Sequence, residues 1–132
     1  MIVTVNGKFE KIDSYTFQIS SKFPTIYLDK FDYNISVRSI SVESVGGFHN
    51  CRLSLRTTAV DKTALNPDQE ILSFVPVRAH AVYSPRKPIK YKIQLKEVHT
   101  ADFFLSSTKT VDLLEIDNCH IIFEITRDVR IQ

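Results

Sequence analysis

The residues able to do chemistry are sparse in this chain, and their spacing does not converge on a reaction. His99-Thr100-Ala101-Asp102 is the most site-like run, because a loop there would bring an imidazole and a carboxylate together as an acid–base pair. No third group is at hand to orient the base, so the run reads first as a solvated connection between strands. The serines lie in strand-like or polar segments, and no G-x-S-x-G places one on a sharp turn. His49-x-Cys51 and Cys119-His120 combine metal-ligating types, but each is a two-ligand fragment without a matching half elsewhere. Walker, dinucleotide and calcium-loop patterns are missing too. The expectation is a protein with no catalytic, cofactor-binding or metal-binding residues, and therefore not an enzyme.

Charge narrows the partners. The formal net charge is +2, too small for nucleic-acid binding by bulk electrostatics. Arg86, Lys87, Lys90, Lys92 and Lys96 form the one basic cluster, with Tyr91, Ile93 and Leu95 alternating among the last of them. A strand here buries its apolar residues and displays lysines. That display discourages edge-to-edge pairing, and contact with nucleic-acid phosphates or an acidic partner is the lesser alternative. Cys51 and Cys119 each fall on the apolar side of an alternating segment, which reads as two core thiols in preference to a disulfide. No apolar run is long enough to span a bilayer. The start lacks the pattern of a secretory leader, so secretion is disfavoured, and Asn34-Ile35-Ser36 reads as a coincidental glycosylation sequence.

The elements that would position these residues are β-strands. In Cys119 to Thr126, Cys119, Ile121, Phe123 and Ile125 recur at every second position, the period of a strand with one buried face. A one-residue slip would turn His120 and Glu124 inward, so register is well specified. With Val111 to Ile116 and a turn at Asp117-Asn118, this run predicts a closing hairpin. Asn6-Gly7 predicts an opening hairpin, with Lys8 to Ile12 returning along Ile2 to Val5. Tyr15, Phe17 and Ile19 mark a strand ended by Ser20-Ser21 and Pro24; Thr25 to Leu28 is a short apolar segment. Tyr33 to Val45 is the longest run, and its change of apolar parity implies a bulge or bend near Arg38-Ser39, before Gly46-Gly47 stops it.

Cys51, Leu53 and Leu55 give the next strand, then Thr58 to Glu70 reads as an exposed polar loop with at most a turn or two of helix. Ile71 to Val77 suggests a strand that finishes at a sheet edge because of Pro76. Ala79, Ala81 and Tyr83 continue it beyond a kink, and Ser84-Pro85 with Lys87-Pro88 brackets a turn before the basic strand Ile89 to Val98. The sum is about eight to nine short strands in one domain, residues 1–132, at the spacing of an all-β sandwich or barrel.

A family resemblance sharpens this. Tyr15-Thr16-Phe17-Gln18-Ile19, Ile26-Tyr27-Leu28, Tyr33 to Ile40, Ile71 to Val77 with its Val75-Pro76-Val77, Phe103-Phe104-Leu105-Ser106-Ser107 and the closing strands to Arg127 together resemble small jelly-roll minor capsid, penton-like proteins. Such proteins are encoded by Maverick or Polinton-type elements and related eukaryotic DNA viruses. The resemblance implies a single antiparallel β-sandwich of jelly-roll type with about eight strands, and a structural role in the virion. It implies self-association, in a pentamer for the penton type, docking to a major capsid protein, and assembly inside the host cell. Loops at sandwich ends are free of core duty, so contacts are expected at Asp61, Lys62, Asn66 and Asp68 in the long loop and at Arg86 and Lys87 in the turn. Ile122, apolar on the outer face of the last strand, is a further candidate. The alternative is a monomeric β-sandwich binding module for a peptide, a glycan or a host protein; an enzyme or nucleic-acid binder is the third class.

Overall fold

Side chains alternate between buried and solvent-facing along most of the chain, and the backbone obeys that alternation by forming strands. The computed structural model describes residues 1–22, 32–44, 51–76, 80–93, 100–108 and 116–128. Among them are ten strands and no helix: β1 (Ile2–Gly7), β2 (Glu10–Lys11), β3 (Thr16–Lys22), β4 (Asp32–Ser44), β5 (Leu53–Thr57), β6 (Glu70–Phe74), β7 (His80–Tyr83), β8 (Tyr91–Lys92), β9 (Thr100–Ser107) and β10 (Ile116–Asp128). They build two five-stranded antiparallel sheets. Sheet A has the order β1-β10-β4-β7, with β8 also on β4, and sheet B the order β2-β3-β9-β5-β6.

The pairings β1·β10, β3·β9, β4·β7 and β5·β6 are nested like the rungs of one long hairpin. Winding that hairpin over so that β10 meets β4 and β9 meets β5 closes the two sheets face to face. This is a jelly roll. Counting β7 and β8 as one interrupted position, and β2 as an added rung, leaves the eight principal strands expected.

The core lies between the sheets. Cys119, Ile121, Phe123 and Ile125 all face inward from β10, no more than 4% exposed. Phe123 stacks on Phe103 of β9, ring centroids 5.2 Å apart, which ties sheet to sheet through the middle of the sandwich. Cys51 and Cys119 are both buried free thiols. The bulge read from parity is present: Ile122 faces Ser39 while Phe123 faces Val37, so Arg38 is the extra residue on β4. It throws Arg38 outward, where its guanidinium pairs with Glu124. At half-exposed positions such a pair contributes about 0–1 kcal/mol.

Both predicted hairpins are corrected. β10 runs unbroken through Asp117-Asn118, and Asp117 is instead a bulge residue between the Ile116–Ser44 and Asn118–Glu43 pairs. The ladder to β4, joined by β1 from Cys119 onward, outweighs the local turn preference. Asn6-Gly7 ends β1 still in register with His120 and Cys119, and the chain then crosses to β2 in the other sheet. Gly7 makes that crossing at φ 141°, a conformation a side chain rarely adopts, and a Cβ there would lie 3.1 Å from Ile19 Cδ1. Phe9 then enters the core at 1% exposure.

Smaller expectations shift as well. β3 continues through Ser20-Ser21 to Lys22 because these residues pair with β9. The long loop is not wholly exposed: Ala59 and Val60 are buried, and Val60 bridges Ile93. Among the described residues of the basic strand, Tyr91–Lys92 pair with β4 and Ile93 bridges Val60, while Ile89 and Lys90, just past Pro88, stay out of the ladder; Gln94 to Val98 lie outside the described residues. Lys92 pairs with Asp32 at 3.6 Å. Thr25 to Leu28, Gly46-Gly47, His49, Val77, Lys96, His99 and Val111 to Glu115 lie outside the described residues.

Candidate functional site

A cleft of about 870 Å³ opens at the sandwich edge where β6 faces β7 and β8. Its origin is an interruption of sheet A. Tyr83 ends β7 opposite Ile40, Tyr91 begins β8 opposite Ile35, and residues 84–90 swing out between them. Pro85 and Pro88 punctuate that excursion and keep it from rejoining the sheet. On this side of β4, Ser36 to Ser39 have no strand partner among the described residues. The floor of the gap is apolar, with Leu72 partly exposed over the buried Val37 and Ile71.

One wall is the long loop, with Thr63, Leu65, Asn66, Pro67 and Asp68 leading into Glu70. Its shape comes from hydrogen bonds made by the loop itself. Thr63 and Asn66 exchange backbone bonds at 3.2 and 3.3 Å. The Asn66 side-chain amide donates to the Glu70 carbonyl at 2.9 Å and its oxygen accepts from the Glu70 N–H at 3.1 Å. Gln69, at φ 58°, donates through its side chain to the Val60 carbonyl at 2.9 Å. The loop is thus a fixed wall and not a disordered tether.

The facing wall carries Tyr83, Pro85, Arg86, Lys87, Ile89 and Tyr91. Tyr83 stacks on Phe74 of β6 with centroids 5.4 Å apart, joining the two sheets at one end of the cleft. Burial and, next to it, the Glu70 carboxylate push the Tyr91 phenol above its ordinary value. Acidic Asp68 and Glu70 therefore stand on one side, with basic Arg86 and Lys87 on the other. Leu65 is 99% exposed and Ile89 65%, apolar side chains with no core contact to explain them.

Four of the seven residues expected to make contacts, Asn66, Asp68, Arg86 and Lys87, meet in this cleft although they come from two separate loops. Asp61 and Lys62 do not line it; the Asp61 N–H instead bonds the Lys92 carbonyl at 3.1 Å. Ile122 sits half-buried on the outer face of sheet A, between Thr4 and Ser39. The residues that sequence reading missed are Leu65, Glu70, Tyr83, Ile89 and Tyr91. Leu65 inside a polar loop was the available signal, since it had no strand to serve, whereas Ile89 was assigned to the basic strand Ile89 to Val98.

Of the acid–base candidates His99 and Asp102, only Asp102 is among the described residues. Asp102 lies within β9, accepting from the Ser20 hydroxyl while its N–H bonds Thr58 Oγ1 at 3.0 Å. Among the described residues no three His, Cys, Asp or Glu side chains gather as a metal site would require. What the cleft supplies is an apolar floor, two phenols, both signs of charge and an exposed strand.

No family model and no curated protein matches this chain. Among solved structures it is similar to dimeric latent PorU from Porphyromonas gingivalis, at TM-score 0.46 and 8% identity over 92% of this chain and 12% of that one. It is also similar to CBM28, a carbohydrate-binding module specific for non-crystalline cellulose, at TM-score 0.39 and 7% identity over 96% and 73% of the two chains. A third is the carbohydrate-binding module CBM36 solved with calcium and xylotriose, at TM-score 0.31 and 12% identity over 96% and 99%. These likenesses are too distant to assign a ligand or a role.

Proposed function

We propose that this chain is a non-catalytic jelly-roll binding module whose recognition surface is the cleft between β6 and β7–β8. One observation carries the reading: two loops distant in sequence converge on a concave, charged and partly apolar site with fixed walls. The site falls in the size range of ligand clefts, and its polar groups are placed by strands and hydrogen-bonded turns. Titrating the isotope-labelled chain with panels of short peptides and oligosaccharides, followed by amide NMR, tests this. Shifts should gather at Glu70, Ile71, Tyr83 and Tyr91. Shifts confined to the β1–β2 edge or the outer sheet faces would overturn it.

The nested strand order favours a second reading, a structural assembly protein of the minor capsid, penton-like kind, because that topology is what the family resemblance implied. In this reading the partners are further copies of the chain, arranged in a ring such as a pentamer, and a major capsid protein, with the virion as its location. Analytical ultracentrifugation over a wide concentration range decides it. A closed oligomer is expected, and a monomer throughout would exclude the ring.

A further inference from the structure

β6 forms one wall of the cleft, and among the described residues it has a strand on one side only, β5. It is an open edge of five residues, interrupted near its start by a bulge at Ile71, which the Leu55–Leu72 and Arg56–Glu70 pairs leave unmatched. After Glu70 it reads Ile71-Leu72-Ser73-Phe74, with no lysine and no proline until Pro76, whereas exposed edges are ordinarily blunted by such residues. At its first rung the chain already shows what the edge accepts: the Asn66 amide takes the N–H and the carbonyl of Glu70 together, as a neighbouring strand would.

Resting on the binding reading above, we infer that the cleft takes an extended polypeptide segment of another protein, added as a strand along Ile71 to Phe74. Main-chain bonds to the edge supply affinity, and alternate side chains pack over the partly exposed Leu72 on the apolar floor. The charges complement a segment with a basic residue toward Asp68 and Glu70 and an acidic one toward Arg86 and Lys87. A glycan is the poorer fit, because Tyr83, the exposed ring at the mouth, already spends one face on Phe74. A second copy's β6 fits poorly as well. It lies inside an identical two-walled cleft, so two such edges cannot approach, while a lone extended segment can enter.

The test titrates the labelled 132-residue chain with capped heptapeptides that alternate valine, isoleucine or phenylalanine with threonine between a lysine and a glutamate. The same peptides N-methylated at alternate residues, and a set of oligosaccharides, run in parallel. Unmethylated peptides should shift the Ile71 to Phe74 amides, and methylation on the edge-facing side should weaken binding about tenfold or more through the lost main-chain bonds. Equal binding of methylated peptides would overturn strand addition while leaving the cleft as the binding site. Oligosaccharides alone shifting the cleft would replace the peptide with a glycan, and concentration-dependent shifts of β6 without ligand would make a second copy the occupant. No response in the cleft to any of these would remove both the inference and the binding reading.

Discussion

At the β1–β2 edge the chain carries its own backbone across the sandwich, bending at Gly7 and sinking Phe9 into the core; at the β6–β8 edge it swings residues 84–90 outward and leaves a gap beside the Tyr83–Phe74 stack that joins the sheets. The same physical problem, a sheet pair that must end somewhere, is solved once by filling and once by leaving a lined gap. At the filled edge even Met1 is tied in, its carbonyl accepting from the Ile125 N–H at 2.8 Å. At the open edge, hydrogen bonds fix the walls and leave the space between them. An open edge with fixed walls and apolar side chains at its mouth is the feature on which the proposed binding role rests.

The contrast predicts a gradient of mutational cost from the filled edge to the open one. Phe9→Ala removes a fully buried ring at the crossing and should cost about 3–5 kcal/mol, measured by urea denaturation. A loss near zero would mean that the crossing is not a sealed edge. Gly7→Ala should cost about 1–3 kcal/mol, since its φ is unsuited to a side chain and the new methyl crowds Ile19. Tolerance of alanine there would show that another backbone path joins β1 to β2.

At the open edge the expected costs are smaller and come from the walls. Asn66→Ala removes both bonds to the Glu70 backbone and should cost about 1–2 kcal/mol. It should also speed amide exchange at Glu70, whereas an unchanged rate would mean that β6 is held from elsewhere. A pH dependence separates the edges further. Cys119, opposite Gly7 in the ladder, is pushed up by burial from 9.0 to about 12. The unfolded thiol ionises first, so its contribution to stability is complete below about pH 9 and is lost as pH rises toward 12. The native chain should therefore resist thiol alkylation at pH 8 to 9, and Cys119→Ala should flatten the fall in stability above pH 9. Rapid native alkylation of Cys119 would show that this edge opens.

How legible these features were depended on whether the determinant was local. The inward face of β10 and the Arg38 bulge were readable because side-chain parity is written residue by residue and the core enforces it. The Asn6-Gly7 and Asp117-Asn118 turns were misread because their dipeptides favour hairpins, while pairing with distant strands decided otherwise. The cleft was half legible: its two loops stood out, but which of their residues faced each other depended on β4 pairing with β7 and β8 far downstream in the chain. Choosing charged residues as contacts found Asp68 and Arg86 and passed over Leu65 and Ile89.

Leu65 and Ile89 carry the smallest expected change in stability and the sharpest separation of the two edges. Neither belongs to the core, so Leu65→Ser and Ile89→Ser should each alter unfolding free energy by less than about 0.5 kcal/mol. If the mouth serves recognition, the same changes should weaken any cleft-directed ligand while the urea midpoint stays put, because the apolar area lost matters only when a partner covers it. A clear loss of stability would mean that these side chains pack on the protein itself and that the edge is closed in solution. Full stability with unchanged binding would move the contact deeper, onto Tyr83, Tyr91 and the strand edge behind them.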